Sequence, residues 1–170
     1  MKCKQLRYYH VIVIALWAVV CWCFFQFWYP YHFFYHEQNQ IFLWEWEYVS
    51  GYFQKSGGLA SLIGDFLTQF DYYLYAGATI LTLCIALAGF LLYLTLTNLK
   101  VNRWVALASG LCVIAWLTVC HFSTSCKLSS TICVIGWLLF FWAVSAIRIK
   151  WLRLVCFLII LFPSYLLFGT

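Results

Sequence analysis

Long apolar runs separated by short polar clusters dominate the chain. Five stretches, residues 10–35, 72–99, 104–126, 128–147 and 154–170, contain no Asp, Glu, Lys or Arg. A helix crossing a hydrocarbon core of about 30 Å needs about 20 apolar residues. The first four stretches meet that length; the fifth sits at its lower limit and contains Pro163. No ten-residue segments of alternating polarity occur, and backbone amides cannot go unpaired in lipid, so the spans are expected to be helices. Expected spans are 10–29, 73–97, 104–122, 131–147 and 152–168, with an outer loop over 30–72. The chain thus reads as a single all-α domain, a polytopic membrane helix bundle.

The outer loop carries two further periodic segments. Over 59–70, Leu59, Leu62, Ile63, Phe66 and Phe70 share one helical face and Ser61, Gly64, Asp65 and Thr68 the other, after a break at Gly57-Gly58. This predicts a short amphipathic helix, interfacial or roofing the bundle, with Phe66 and Phe70 turned toward bundle or lipid. A second helix is predicted over 34–53. Its polar side holds His36, Asn39, Gln40, Glu47 and Ser50, and its apolar side Phe34, Ile41, Phe42, Tyr48, Val49 and Tyr52. Glu37, Gln38 and Glu45 break that pattern. A carboxylate against lipid is costly, so these residues must reach a partner, a wet cavity or a ligand.

Composition narrows the class. The chain is 66% hydrophobic and 9% charged, against about 25% charged for a soluble domain. Soluble monomers, disordered tails, coiled coils and nucleic-acid modules are excluded. The net charge of +5 reports topology: Lys2, Lys4, Arg7, Lys100, Arg103, Arg148, Lys150 and Arg153 fall on one side if all five spans cross. All five acids (Glu37, Glu45, Glu47, Asp65 and Asp71) lie in the outer loop. Basic residues stay on the cytoplasmic side, which puts the N-terminus in the cytoplasm and the first large loop in the periplasm. No small-x-small cleavage site follows the first run, so it is a retained helix in place of a signal peptide.

Small residues mark expected packing seams: Ala78, Thr82, Ala86 and Gly89 on the second span, Ala106 and Gly110, with Ser109 adjacent, on the third. No span has a central charge, which argues against an ion-coupled transporter. His10 and His121, near span ends, read as interfacial. No cysteine pair has CxxC spacing, so none is assigned a metal or redox role; Cys120, Cys126 and Cys133 near an outer turn are the set from which a disulfide could form. His32 and His36 have the i, i+4 spacing of helical metal ligands but no third ligand, and no metal or cofactor is assigned. Glu45-Trp46-Glu47 resembles short acidic motifs that hold a metal and a phosphate, yet residues two apart on a helix diverge by about 200°. The pair could chelate only if extended. Candidate site residues are therefore Glu37, Gln38, Gln40, Glu45 and Glu47, with Glu37 foremost.

The run Tyr31-His32-Phe33-Phe34-Tyr35-His36-Glu37-Gln38-Asn39-Gln40-Ile41-Phe42 and the later Gly57-Gly58-Leu59 … Gly64-Asp65-Phe66-Leu67-Thr68-Gln69-Phe70 are distinctive. Together they resemble a family of uncharacterised bacterial polytopic inner-membrane proteins, a domain-of-unknown-function family. That family pairs an E-Q-x-Q-hydrophobic-F segment with a G-G-L … G-x-F-L-T-Q-F segment after its first membrane helix. The resemblance covers about residues 28–78. It implies an inner-membrane location and no established activity. Its members are longer, which implies that this chain is an N-terminal fragment, as do the short last span and the amide that Pro163 leaves without a helical bond.

Three functional readings fit the sequence: an integral inner-membrane protein whose acidic outer loop forms a site or contact surface, the membrane portion of a lipid-linked sugar glycosyltransferase, and a noncatalytic membrane subunit that docks a partner. The expected partners are the lipid bilayer and other membrane helices or an outer-face protein, with no nucleic acid. Whether the protein is an enzyme stays open on sequence alone. The orientation has a direct check. A cysteine replacing Lys55 is expected to react with a membrane-impermeant maleimide in intact cells, above the parent-chain signal, while one replacing Arg103 is not. The reverse pattern refutes the orientation.

Overall fold

A computed structural model describes residues 2–31, 33, 42–73, 75–123, 126–147 and 149–168, excepting the side chains of residues 2–8, 150, 166 and 168. Among these the chain is all-helical. The order is α1 (Lys2–Cys23, continued by a π turn at Phe24–Trp28), α2 (Trp46–Phe53), α3 (Gly58–Thr68, with a 3-10 turn at Gln69–Tyr72), α4 (Ala76–Asn98), α5 (Arg103–Cys120), α6 (Leu128–Ser145) and α7 (Lys150–Phe168). Four stretches, Tyr9–Trp28, Ala76–Asn98, Arg103–Cys120 and Leu128–Ser145, are long and apolar enough to cross a membrane. In α7 the apolar stretch is shorter, Trp151–Tyr165.

The architecture centres on α4, which packs against α1, α5 and α6. The seam with α5 is built from the small residues. A Cβ at Gly89 would stand 2.8 Å from the Gly110 carbonyl oxygen, and one at Gly110 would stand 2.8 Å from that of Gly89. The two backbones therefore touch where neither helix has a side chain, and Ala106, Ala78 and Thr82 are buried as well. Ala86 is only partly buried. Close approach maximises dispersion contacts, the term left to hold helices together when burial from water supplies no drive.

Both histidines expected at an interface are instead fully enclosed by protein. His10 shares a 3.2 Å hydrogen bond with the Tyr93 hydroxyl and lies 5.1 Å, ring to ring, from Trp104, joining α1, α4 and α5. His121 shares a 2.7 Å bond with the Thr131 hydroxyl, tying the end of α5 to α6. An imidazole is affordable in such a core only when hydrogen-bonded. Periodicity shows that these rings lie near helix ends and nothing about what surrounds them.

The π turn ending α1 widens the helix by one residue per turn and buries Phe25 against the rings of Phe33 and Phe122. Tyr29 then donates to the Phe122 carbonyl at 2.9 Å, fastening the end of α1 to the turn after α5. All eight described cysteines are free thiols, Cys120, Cys126 and Cys133 included.

The Gly89–Gly110 contact generates a prediction. Gly89→Leu forces α4 and α5 apart and is expected to cost about 1–3 kcal/mol. The check is the midpoint of unfolding in mixed micelles, with Leu83→Ala, an exposed position on α4, as a control that shifts little.

Candidate functional site

At one end of the bundle α3 packs against α6 and α7 and α2 packs on α3, the pair forming a platform. The turn between them depends on two glycines. Gly57 has a positive φ of 72°, which a residue without Cβ adopts without steric cost. A Cβ at Gly58 would collide with the Tyr52 carbonyl, so the chain can fold back tightly on α2 only with glycine there.

The packed face of α3 is not its most apolar one. Gly58, Ala60, Gly64 and Thr68 are buried, whereas Ile63 and Phe70 are exposed and Phe66 is half-buried. A Cβ on Gly64 would lie 2.7 Å from the Ser129 Cα, so α3 meets α6 backbone to backbone. Phe66 and Phe70 therefore lie off the face that α3 packs on α6. The small face wins because it lets the helices approach most closely. The aromatic face gathers other rings instead: Phe66 contacts Phe42, Trp44 and Phe70 at centroid distances of 5.8, 5.8 and 5.5 Å. The Gln69 amide donates to the Phe42 carbonyl at 3.0 Å. Two loop segments far apart in sequence, ending in Phe42 and in Gln69-Phe70, are thus joined.

On its other side the α2–α3 pair encloses an open groove of approximately 580 Å³, lined by Glu47, Tyr48, Tyr52, Lys55, Ser61 and Asp65 among others. The Tyr52 hydroxyl donates to the Asp65 Oδ2 at 2.6 Å and shares a 2.7 Å hydrogen bond with the Tyr48 hydroxyl. Partial burial, the bonds to Asp65 and Tyr48 and the Asp65 charge all hold the Tyr52 phenol well above its ordinary range. The proton stays on Tyr52, and Asp65 keeps its second oxygen for other donors. A wholly apolar pocket of approximately 180 Å³, lined by Phe42, Trp44, Val49, Leu62, Ile63 and Phe66, flanks the same helix pair.

The expected site residues fare unequally. Glu37, Gln38 and Gln40 lie outside the described residues, as do His32 and His36. The first loop helix, expected over 34–53, is helical only at Trp46–Phe53 among the described residues, and Phe42–Glu45 is non-helical. Glu45 is the extended residue ahead of α2 and Glu47 stands in its first turn, both exposed. Of the two described candidates, Glu47 lines the groove and Glu45 does not; beside Glu47 stand Tyr48, Tyr52, Lys55 and Asp65, which charge and motif reasoning passed over. The legible signal was the i, i+4 spacing of Tyr48 and Tyr52. No group of three or more metal-ligating side chains occurs among the described residues.

A model of a family of unknown function, DUF6057, matches residues 4–170. The chain belongs to that family. The DUF6057 match extends over nearly the whole chain, beyond the loop segments that carried the resemblance, and bears out a family with no assigned activity. No curated protein and no solved structure matches the chain.

The platform of this DUF6057 chain makes two predictions. Gly64→Val is expected to lift α3 from Ser129 and raise the rate of tryptic cleavage at the exposed Lys55. Tyr52→Phe deletes the charge-assisted bond to Asp65 and the bond to Tyr48, and should loosen the α2–α3 contact by about 1.5–3 kcal/mol. Because the folded protein raises the Tyr52 pKa, its stabilisation is fully present below the ordinary tyrosine pKa of about 10 and declines as pH climbs from there through the raised folded-state value. Cleavage of the parent chain should therefore accelerate above that pH, and cleavage of Tyr52→Phe should not.

Proposed function

We propose that the chain is a multi-pass protein of the cell inner membrane whose α2–α3 platform binds a hydroxyl-rich amphiphile at the periplasmic face. The five spans are those at 10–29, 73–97, 104–122, 131–147 and 152–168, with the N-terminus cytoplasmic and α2 and α3 lying at the interface. The basic residues of the N-terminal end and of residues 100–103 and 148–153, set against acids confined to the outer loop, support that orientation.

The observation that carries the binding reading is the Tyr48–Tyr52–Asp65 hydrogen-bond chain along the groove. Carboxylates of Asp65 and Glu47 accept hydrogen bonds from ligand hydroxyls, and phenol rings cover the C–H face of a sugar. The apolar pocket on the same helix pair supplies a place for a lipid chain. A sugar headgroup on a lipid tail matches both. The same placement supports a second reading as the membrane portion of a lipid-linked sugar glycosyltransferase, in which Asp65 would act as a base at a ligand hydroxyl.

Binding of an alkyl glycoside, below its micellar concentration, to the full chain in phosphatidylcholine nanodiscs tests the proposal. Saturable binding is expected, weakened about tenfold or more by Asp65→Asn or Glu47→Gln, the cost of losing a hydrogen bond to a charged group. No saturable binding, or equal binding by the variants, refutes it.

A further inference from the structure

At the end of the bundle opposite the platform, Lys100 and Arg153 line a second cavity of approximately 680 Å³, together with Asn98, Ser145, Ala146 and Ile147. It runs on into an apolar groove of approximately 200 Å³ walled by Leu92, Leu99, Leu138, Phe141 and Val144. Ser145 and Arg153 border both spaces, so cationic head and apolar groove form one feature.

The head of this feature is fixed by its own bonds. The Asn98 side-chain amide donates to the Ser145 hydroxyl at 3.3 Å, and that hydroxyl donates to the Trp142 carbonyl at 2.7 Å, which joins the end of α4 to the end of α6. Lys100 follows α4 in the left-handed conformation, φ 62°, with Lys100 N–H bonded to the Thr97 carbonyl and Val101 N–H to that of Leu96. This closing position usually holds glycine; here it carries a cation into the cavity. The described acids (Glu45, Glu47, Asp65 and Asp71) all sit in or beside the platform, at the far end. Neither Lys100 nor Arg153 has a carboxylate partner among the described residues.

We propose that this feature binds an anionic phospholipid, with its phosphodiester held between Lys100 and Arg153 and an acyl chain along Leu92, Leu99, Leu138, Phe141 and Val144. Charge complementarity selects the ligand. A guanidinium and an ammonium together match a phosphate, and basic pockets between membrane helices recognise such headgroups. A zwitterionic lipid would bring its own ammonium to a site with no carboxylate. Orientation by basic residues accounts for the charges on this side, but not for their opening onto an apolar groove between α4 and α6.

The test uses the full chain in a non-ionic detergent, with thermal unfolding followed against phosphatidylglycerol, phosphatidylcholine and inorganic phosphate. A saturable rise in unfolding temperature is expected with phosphatidylglycerol alone. Lys100→Gln combined with Arg153→Gln should weaken that effect about 10- to 30-fold, from two lost phosphate contacts. Lys100→Gln alone, at an exposed position, should weaken it less and gives the same reading if the double variant does not fold. Unchanged phosphatidylglycerol affinity in the variants overturns the proposal. An equal rise with phosphatidylcholine also overturns it, and a full rise with inorganic phosphate shows a free-anion site in place of a lipid site.

Discussion

Where α4 crosses α5, the Gly89 and Gly110 backbones stand within contact of one another, and most other placements follow from that approach. Among helices that gain little by leaving water, stability comes from the number of atoms brought within van der Waals range. A single Cβ on either glycine would hold the axes apart and strip contacts along the whole seam. Because α4 is drawn so close to α5, its remaining faces are left to α1 and α6. The buried His10–Tyr93 and His121–Thr131 bonds then lock α1 and α6 at opposite ends.

The same rule governs the platform. Amphipathic reasoning treats the larger apolar face of a short helix as the one that seeks the core, which holds when water is the alternative. In α3 the face of Ala60, Gly64 and Thr68 is buried, with Gly64 pressed on α6 at Ser129, and the rings of Phe66 and Phe70 turn outward into a cluster with Phe42 and Trp44. One consequence is chemical. With its small face buried, α3 presents Ser61 and Asp65 to the groove shared with α2, where the phenols of Tyr48 and Tyr52 meet the carboxylate.

The two cavities divide the chemistry of the molecule between its ends. The platform groove collects carboxylates and phenols beside an apolar pocket; the opposite cavity collects cations beside an apolar groove. Each pairs a polar head with an apolar flank, the shape of an amphiphile. Membership of a family of unknown function adds no substrate, so the ligand classes proposed for these sites rest on side-chain chemistry.

Local pattern alone determined the helical class, the apolar runs, the small-residue seams and the break at Gly57-Gly58, because each is set by neighbours within a few positions. The family resemblance also singled out Gly64 and Gln69, without saying what they touch. Tertiary structure decided that Gly64 rests on Ser129 and that Gln69 reaches the Phe42 carbonyl. It enclosed His10 and His121, and it made Asp65 a groove residue bonded to Tyr52, where the sequence placed it only on the polar face of a loop helix. Each of these depends on a partner brought from another helix. A one-dimensional pattern records which side chains share a face; what that face meets is fixed only when the backbones have packed as closely as their smallest residues allow.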